Sequence, residues 1–421
     1  MDWWPAPRPT EPVDATVDLP GSKSMTNRAL VLAALADEPS TIRRPLRARD
    51  TELMAAGLRA LAADVTDHGE DIGVEPTGLR PGEDIDVGLA GTVMRFLPPV
   101  AALADGPTRF DGDARARERP QGPLLDGLRQ LGARIEDGGR NALPITVHGT
   151  AAGGRVRLDA SSSSQFVTAL LLAGARFERG ITIENVGPPV PSRPHICMSV
   201  AMLRAAGVGV DDSTPDRWVI GPGPVHAVDV VVEPDLSNAA PFLAAALVTG
   251  GIVRVPGWPA ETTQPGAALL PLLATMGARI SHDGGTLVVR GGAPIAGLDA
   301  NLRNESELVP VLAALCAVAD RPSRLAGLRH MRGQETDRLA ALTKELRGLG
   351  TDAEETDDAL LITPKPLHGG RFETYADHRM AQAGAVLGLA VDGVEIADIA
   401  TTGKTLPDFP GMWSALVGST T

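Results

Sequence analysis

The 421-residue sequence predicts an α/β protein of two domains, each built from three copies of one repeat unit. Two recurring signatures and the spacing between them carry that prediction. The first signature is a helix end followed by glycine or alanine and a short strand. It reads LRALAADV at 58–65, LRQLGARI at 128–135, LRAAGVGV at 203–210, LATMGARI at 273–280 and LRGLGTDA at 346–353, at intervals of 70 to 75 residues. A sixth copy falls due near residue 416, where the sequence reads WSALVG.

The second signature is a polar cluster that leads into an Ala/Leu-rich helix. Its six copies are GSKSMTNRALVLAALA from 21, AGTVMRFLPPVAALA from 90, SSSSQFVTALLLAGA from 161, DLSNAAPFLAAALVTG from 235, NESELVPVLAALCAVA from 304 and ADHRMAQAGAVLGLA from 376. Turn residues and an alternating strand follow each one, as in GITIEN and GIVRVPG. Each unit therefore reads as a helix, a strand, a second helix and one or two more strands.

The helices of the second signature are apolar nearly all round, the pattern of a helix buried inside a domain. Three units fill one domain of about 210 residues and six fill two, within the usual range of domain sizes. The stretch TEPVDATVDLP at 10–20 has a strand pattern with no helix before it, and the last unit lacks closing strands. The simplest repair lets the amino terminus complete the last unit. The expected domains are then 21–234 and 235–421 plus 1–20, with two chain crossings between them that make a hinge.

Composition narrows the function. With 43% hydrophobic residues, a net charge of -13 and no long apolar run, the chain is expected to be globular, neither disordered nor membrane-spanning. The opening MDWWPAPRPTEPVDA lacks the basic start of a secretory signal, so a cytoplasmic location is expected. Cys197 and Cys316 fit no disulfide framework or metal spacing and are expected to be packed thiols. An acidic surface argues against nucleic acid as a partner, although a small anion still binds where a few cations converge.

Polar residues gather at the starts of the core helices: Lys23 and Ser24, Gly91 and Thr92, Ser163 to Gln165, Asp235 with Ser237 and Asn238, Glu305 with Glu307, and Asp377 to Arg379. A helix start offers unpaired N–H groups and partial positive charge, so it takes Ser, Asp or Asn as caps and also binds anions. Lys23 and Arg379 fit no capping rule, since a cation there opposes the helix dipole. Only four lysines occur among 39 basic residues, and Lys23 and Lys404 both sit in Gly/Ser/Thr turns ahead of helices. A lysine ammonium both holds a phosphate and gives up a proton, which a guanidinium does not. GSKS lacks the first glycine of a Walker A loop, and the GxGxxG, GxSxG and HExxH patterns are absent.

Seven blocks resemble, in order, those of the 3-phosphoshikimate 1-carboxyvinyltransferase (EPSP synthase) family: LPGSKSMTNRAL, AGTVMR, ERP at 118–120, SSQF at 163–166, ETDRL at 335–339, YADHRMA at 375–381 and GKTLPDF at 403–409. The resemblance implies two domains of three βαβαββ-type units with buried parallel helices, a six-fold inverse α/β barrel, with ligands in the cleft between the domains. It implies transfer of the enolpyruvyl group of phosphoenolpyruvate to the 5-hydroxyl of shikimate 3-phosphate, with release of phosphate and no metal or cofactor. It also implies a monomer acting on small molecules.

Carried over residue by residue, the resemblance assigns shikimate 3-phosphate to Lys23, Ser24, Arg28, Ser163, Ser164, Gln165, Ser192, Glu307 and Gln334. It assigns phosphoenolpyruvate to Lys23, Gly91, Thr92, Arg119, Gln165, Arg338, Arg379 and Lys404. Glu307 stands where the family usually has the aspartate that takes the hydroxyl proton. Glu335 and Lys23 are the candidates for protonating the methylene carbon, and His378 orients or relays. Leu89, Phe96, His195, His330 and Gln334 replace the usual asparagine, proline, tyrosine, asparagine and lysine, and Leu89 and Phe96 fall in the neighbourhood of Gly91 on which inhibition by glyphosate depends in the family. Gln334 removes one cation from the shikimate 3-phosphate side. The related UDP-N-acetylglucosamine enolpyruvyl transferases place a cysteine acid where this chain has DARARERPQG. A non-catalytic anion binder on the same scaffold would not need Glu307 or Glu335.

Overall fold

The computed structural model describes residues 3–82, 84–292 and 294–418. The chain divides into two compact bodies, Gly21–Val232 and Met1–Pro20 with Glu233–Thr421. Each body holds three copies of one unit.

In the body Gly21–Val232 the core helices are α1 (Lys23–Ala34), α2 (Val93–Ala101) and α3 (Ser164–Ala173). Their side chains are buried all round, as in the run Ala29 to Ala33, because the three helices pack on one another and on their sheets. A strand follows each helix: Ser40–Arg43, Pro107–Asp111 and Ile181–Asn185. Outer helices Arg49–Ala60, Gly122–Gln130 and Arg193–Ala205 come next, and an antiparallel pair closes each unit. A strand that precedes a core helix lies parallel to the one after it, Gly154 opposite Ile181 in the third unit. Pro98, inside α2, cannot donate to the carbonyl of Met94 four residues back, and Nε2 of the buried Gln121 occupies that carbonyl at 3.1 Å.

The other body repeats the plan with α4 (Ala240–Thr249), α5 (Val309–Ala317) and α6 (His378–Ala390). Two of its sheets have four strands and the third has three, Gly370–Phe372, Val394–Ala397 and Trp3–Pro5. The polar clusters at 235–238 and 304–307 form turns ahead of α4 and α5 rather than their first turns. Where Ala6 crosses α6 there is room only for glycine: a Cβ on Gly388 would stand 2.4 Å from the Cβ of Ala6.

The stretch 10–20 does not close the last unit. Its strand, Asp14–Thr16, pairs parallel with Ile252–Pro256 in the fourth unit, while Trp3–Pro5 closes the sixth. The reason is that every unit needs a strand leading into its core helix. Asp235 N bonds Pro20 O at 2.9 Å, so 14–20 run up to the α4 turn, and Val230–Val231 supplies the matching strand beside Ser40–Arg43 in the α1 unit. The lead-in strands of the first and fourth units are exchanged along the chain. Cys316 is packed as expected, but Cys197 lies on the solvent side of the outer helix Arg193–Ala205 and is exposed. Among the described residues no helix is long and apolar enough to cross a membrane.

Candidate active site

The expected site residues fall into two clusters, one in each body. In Gly21–Val232 the cap of α1 is Ser22, whose Oγ accepts from Met25 N, so Lys23 and Ser24 are the first helical residues and need not cap. Lys23 Nζ lies 3.4 Å from Oδ2 of the buried Asp50, which heads the outer helix of the same unit. Arg28, one turn on, is held from three sides: its Nε donates to Ser199 Oγ at 2.8 Å, Nη1 to Ser24 O at 2.8 Å and Nη2 to His195 O at 3.1 Å. The Phe96 ring centroid lies 5.3 Å from the Arg28 guanidinium carbon, so Phe96 puts an aromatic face beside a cation. His195 contributes its backbone carbonyl to Arg28, an atom that any residue would supply.

Gly91 and Thr92 stand just ahead of α2, and Thr92 Oγ1 accepts from Asn27 Nδ2 at 2.7 Å. A Cβ on Gly91 would lie 3.1 Å from both Arg119 Nη2 and Gln165 Oε1, so the glycine lets a guanidinium and an amide close in on the helix start. Arg119 Nη1 donates to Leu89 O at 3.3 Å, which requires only the backbone of the replaced residue. Ser163 caps α3 by accepting from Gln165 N, and Ser164 is buried behind it. Ser192 begins the outer helix Arg193–Ala205 in a left-handed conformation, φ 51°. Sequence reasoning missed Arg95, whose Nη1 donates to Gln165 Oε1 at 2.5 Å, and Asp50; both are buried charges.

In the other body the charges form a chain of alternating sign. Lys404 Nζ lies 2.7 Å from Glu335 Oε1, and Glu335 Oε2 lies 3.3 Å from Arg338 Nη2. Arg338 pairs with Asp377 through Nε at 2.7 Å and Nη2 at 3.1 Å, a two-pronged contact with both partners buried. The carboxylates of Asp377 and Glu335 overcome burial and hold the Arg338 guanidinium more firmly charged than usual. Asp377 also caps α6 by accepting from Arg379 N at 2.9 Å, and Arg379 Nη2 lies 3.6 Å from Glu307 Oε2. His378 is buried at the first position of α6, with Nδ1 3.8 Å from Asp377 Oδ1.

Gln334 bridges Arg338 and Ser306, accepting from the first and donating to the second at 3.4 Å. His330 is half-buried, and burial, with Arg303 next, pushes its imidazole down to about 4. Burial raises the Glu305 carboxyl. In the body Gly21–Val232, Lys23 stands beside the carboxylate of Asp50, while Arg95 and Arg119 converge on Gln165 and Gly91. The other sets Lys404, Arg338 and Arg379 beside Glu335, Asp377 and Glu307.

Solved structures share this architecture. An EPSP synthase from Acinetobacter baumannii superposes with a TM-score of 0.80 at 22% identity, covering 98% of this chain and 97% of that one. The enolpyruvyl transferase NikO from Streptomyces tendae does so at 0.78 and 20% identity, covering 97% and 96%. The fold is therefore that of the enolpyruvyl transferases. The family model for EPSP synthase (3-phosphoshikimate 1-carboxyvinyltransferase) matches residues 7–413. A 3-phosphoshikimate 1-carboxyvinyltransferase of Kocuria rhizophila is 55% identical over 99% of this chain and 97% of its own length. The chain belongs to the EPSP synthase family.

Proposed function

We infer that this enzyme transfers the carboxyvinyl group of phosphoenolpyruvate to the 5-hydroxyl of shikimate 3-phosphate, a step toward chorismate and the aromatic amino acids. The observation that carries the reading is the 55% identity to a 3-phosphoshikimate 1-carboxyvinyltransferase over 99% of the chain. The clusters support it, because they hold the cations two phosphates and a carboxylate need and keep carboxylates among them for proton transfer.

Glu307 takes the proton of the 5-hydroxyl as that oxygen bonds to C2 of phosphoenolpyruvate, and its neighbour Arg379 steadies the anion. A proton goes to the methylene carbon from Glu335, fed by Lys404, or from Lys23. The tetrahedral adduct then loses that proton's equivalent from the methyl group and expels phosphate, which restores the double bond. Lys23, Ser24, Arg28, Ser163, Ser164, Gln165, Ser192, Glu307 and Gln334 hold shikimate 3-phosphate. Lys23, Gly91, Thr92, Arg119, Gln165, Arg338, Arg379 and Lys404 hold phosphoenolpyruvate, and His378 orients Asp377 and its partners. On this reading the enzyme works as a cytoplasmic monomer, without metal or cofactor.

The UDP-N-acetylglucosamine reaction is not favoured by the family match. Phosphate release from phosphoenolpyruvate tests both: it is expected only when shikimate 3-phosphate is added. Release with UDP-N-acetylglucosamine in its place overturns the assignment.

A further inference from the structure

Asn238 lies in the turn ahead of α4 and is fully buried. An asparagine before a helix ordinarily caps it with its own side chain. Here Asp235 takes that task, since its Oδ1 accepts from Asn238 N at 3.0 Å, and the Asn238 amide points elsewhere. Its Oδ1 accepts from Arg379 Nη1 at 3.0 Å, Thr405 Oγ1 at 3.2 Å and Gln382 Nε2 at 3.3 Å, and its Nδ2 donates to Thr405 O at 3.2 Å. One side chain thus joins three segments: the α4 turn, α6 and the turn after Lys404.

The two outer segments carry the cations. Arg379 Nη1 is shared among Asn238 Oδ1, Ser237 O at 2.9 Å and Gln382 Oε1 at 3.1 Å, which anchors that end of the guanidinium. The other nitrogen, Nη2, is the one that lies toward Glu307. A planar guanidinium with one terminal nitrogen held by three acceptors has little freedom to turn, so these contacts set the direction of the remaining N–H groups. Thr405 follows Lys404 directly, and both its hydroxyl and its carbonyl bond Asn238. The turn bearing Lys404 therefore cannot shift without disturbing Arg379.

We propose that Asn238 is a positioning residue that locks Arg379 and the Lys404 turn into one arrangement, and so sets the affinity for phosphoenolpyruvate. This rests on the reading above that Arg379 and Lys404 hold that substrate. The wild-type control keeps the two apart: absence of phosphate release with shikimate 3-phosphate would sink the functional reading, whereas the variants below bear on Asn238 alone.

The test compares Asn238→Leu, Asn238→Ser and Thr405→Val. It measures KM for phosphoenolpyruvate and kcat by phosphate release, the shikimate 3-phosphate dissociation constant by calorimetry, and the urea midpoint. Asn238→Leu keeps the bulk without the amide, and KM for phosphoenolpyruvate is expected to rise about tenfold or more, the size of a hydrogen bond to a charged group. Asn238→Ser and Thr405→Val, each losing part of the network, are expected to raise it about threefold to tenfold, with shikimate 3-phosphate affinity held within about twofold. Should Asn238→Leu fail to fold, those two milder variants decide by the same criterion. An unchanged KM for phosphoenolpyruvate in folded variants overturns the proposal. So does a parallel loss of affinity for shikimate 3-phosphate, which marks general loosening.

Discussion

The Lys404 ammonium stands 2.7 Å from Oε1 of Glu335, whose second oxygen stands 3.3 Å from Arg338 Nη2. A carboxylate bridging two buried cations orders both, and it offers a path for a proton from the lysine. Glu335→Gln keeps the shape and removes the acid. Its kcat is expected to fall by about 10²–10⁴-fold, the usual worth of a general acid, with a much smaller change in KM for shikimate 3-phosphate. Turnover close to wild type would take Glu335 out of the proton path.

Lys23 is the second candidate for that proton. Its contact with the buried Asp50 directs the ammonium, and Met reproduces the length of the side chain without charge. Lys23→Met is expected to lower kcat/KM for both substrates by about 10²–10³-fold, the cost of removing one charge-stabilising donor. A loss confined to one substrate would limit Lys23 to binding it.

Arg338 and Asp377 are buried together, and removing one leaves the other uncompensated. Arg338→Met is expected to destabilise the protein by about 3–5 kcal/mol, read from urea unfolding. A cost below about 1 kcal/mol would mean that water reaches Asp377.

His330 makes stability depend on pH. Partial burial pushes its folded imidazole down to about 4, with Arg303 and Arg338 adding to the effect and Asp358 opposing it. The unfolded chain gains a proton at the ordinary value near 6.5, and the folded chain refuses that proton until about 4. The stability present above 6.5 is therefore lost as pH falls through that window, about 1–2 kcal/mol of it by pH 5. His330→Asn has no proton to gain. Urea unfolding at pH 7 and pH 5 should show a smaller drop for the variant than for wild type, and equal drops would rule His330 out.

The six core helices were legible because a helix buried on every side has its own signature, Ala and Leu all round behind a polar start. Lys23, Arg379 and Lys404 were legible as cations in places that neither capping nor composition explains. The exchange of lead-in strands was not, since Asp14–Thr16 and Val230–Val231 are short and their partners lie far off in sequence. Arg95 and Asp50 escaped for a related reason, and Asn238 was visible only as one member of a polar helix start. A buried arginine, aspartate or asparagine takes its meaning from its partner, and Arg95 and Gln165 are 70 residues apart. Gln334 was found through resemblance alone, and Glu307, seen first only as one acid of a polar helix start, took its role from the resemblance.

Because the lead-in strands change places, the two bodies make different demands on synthesis. A ribosome releases every element of Gly21–Val232 in one uninterrupted stretch, so that half can fold while the rest is still being made. Trp3–Pro5 and Asp14–Thr16, made ahead of that stretch, must wait for partners translated more than two hundred residues later. Until then they trail as unpaired β segments, and the late half closes only when Ile252–Pro256 and Val394–Ala397 arrive to pair with them.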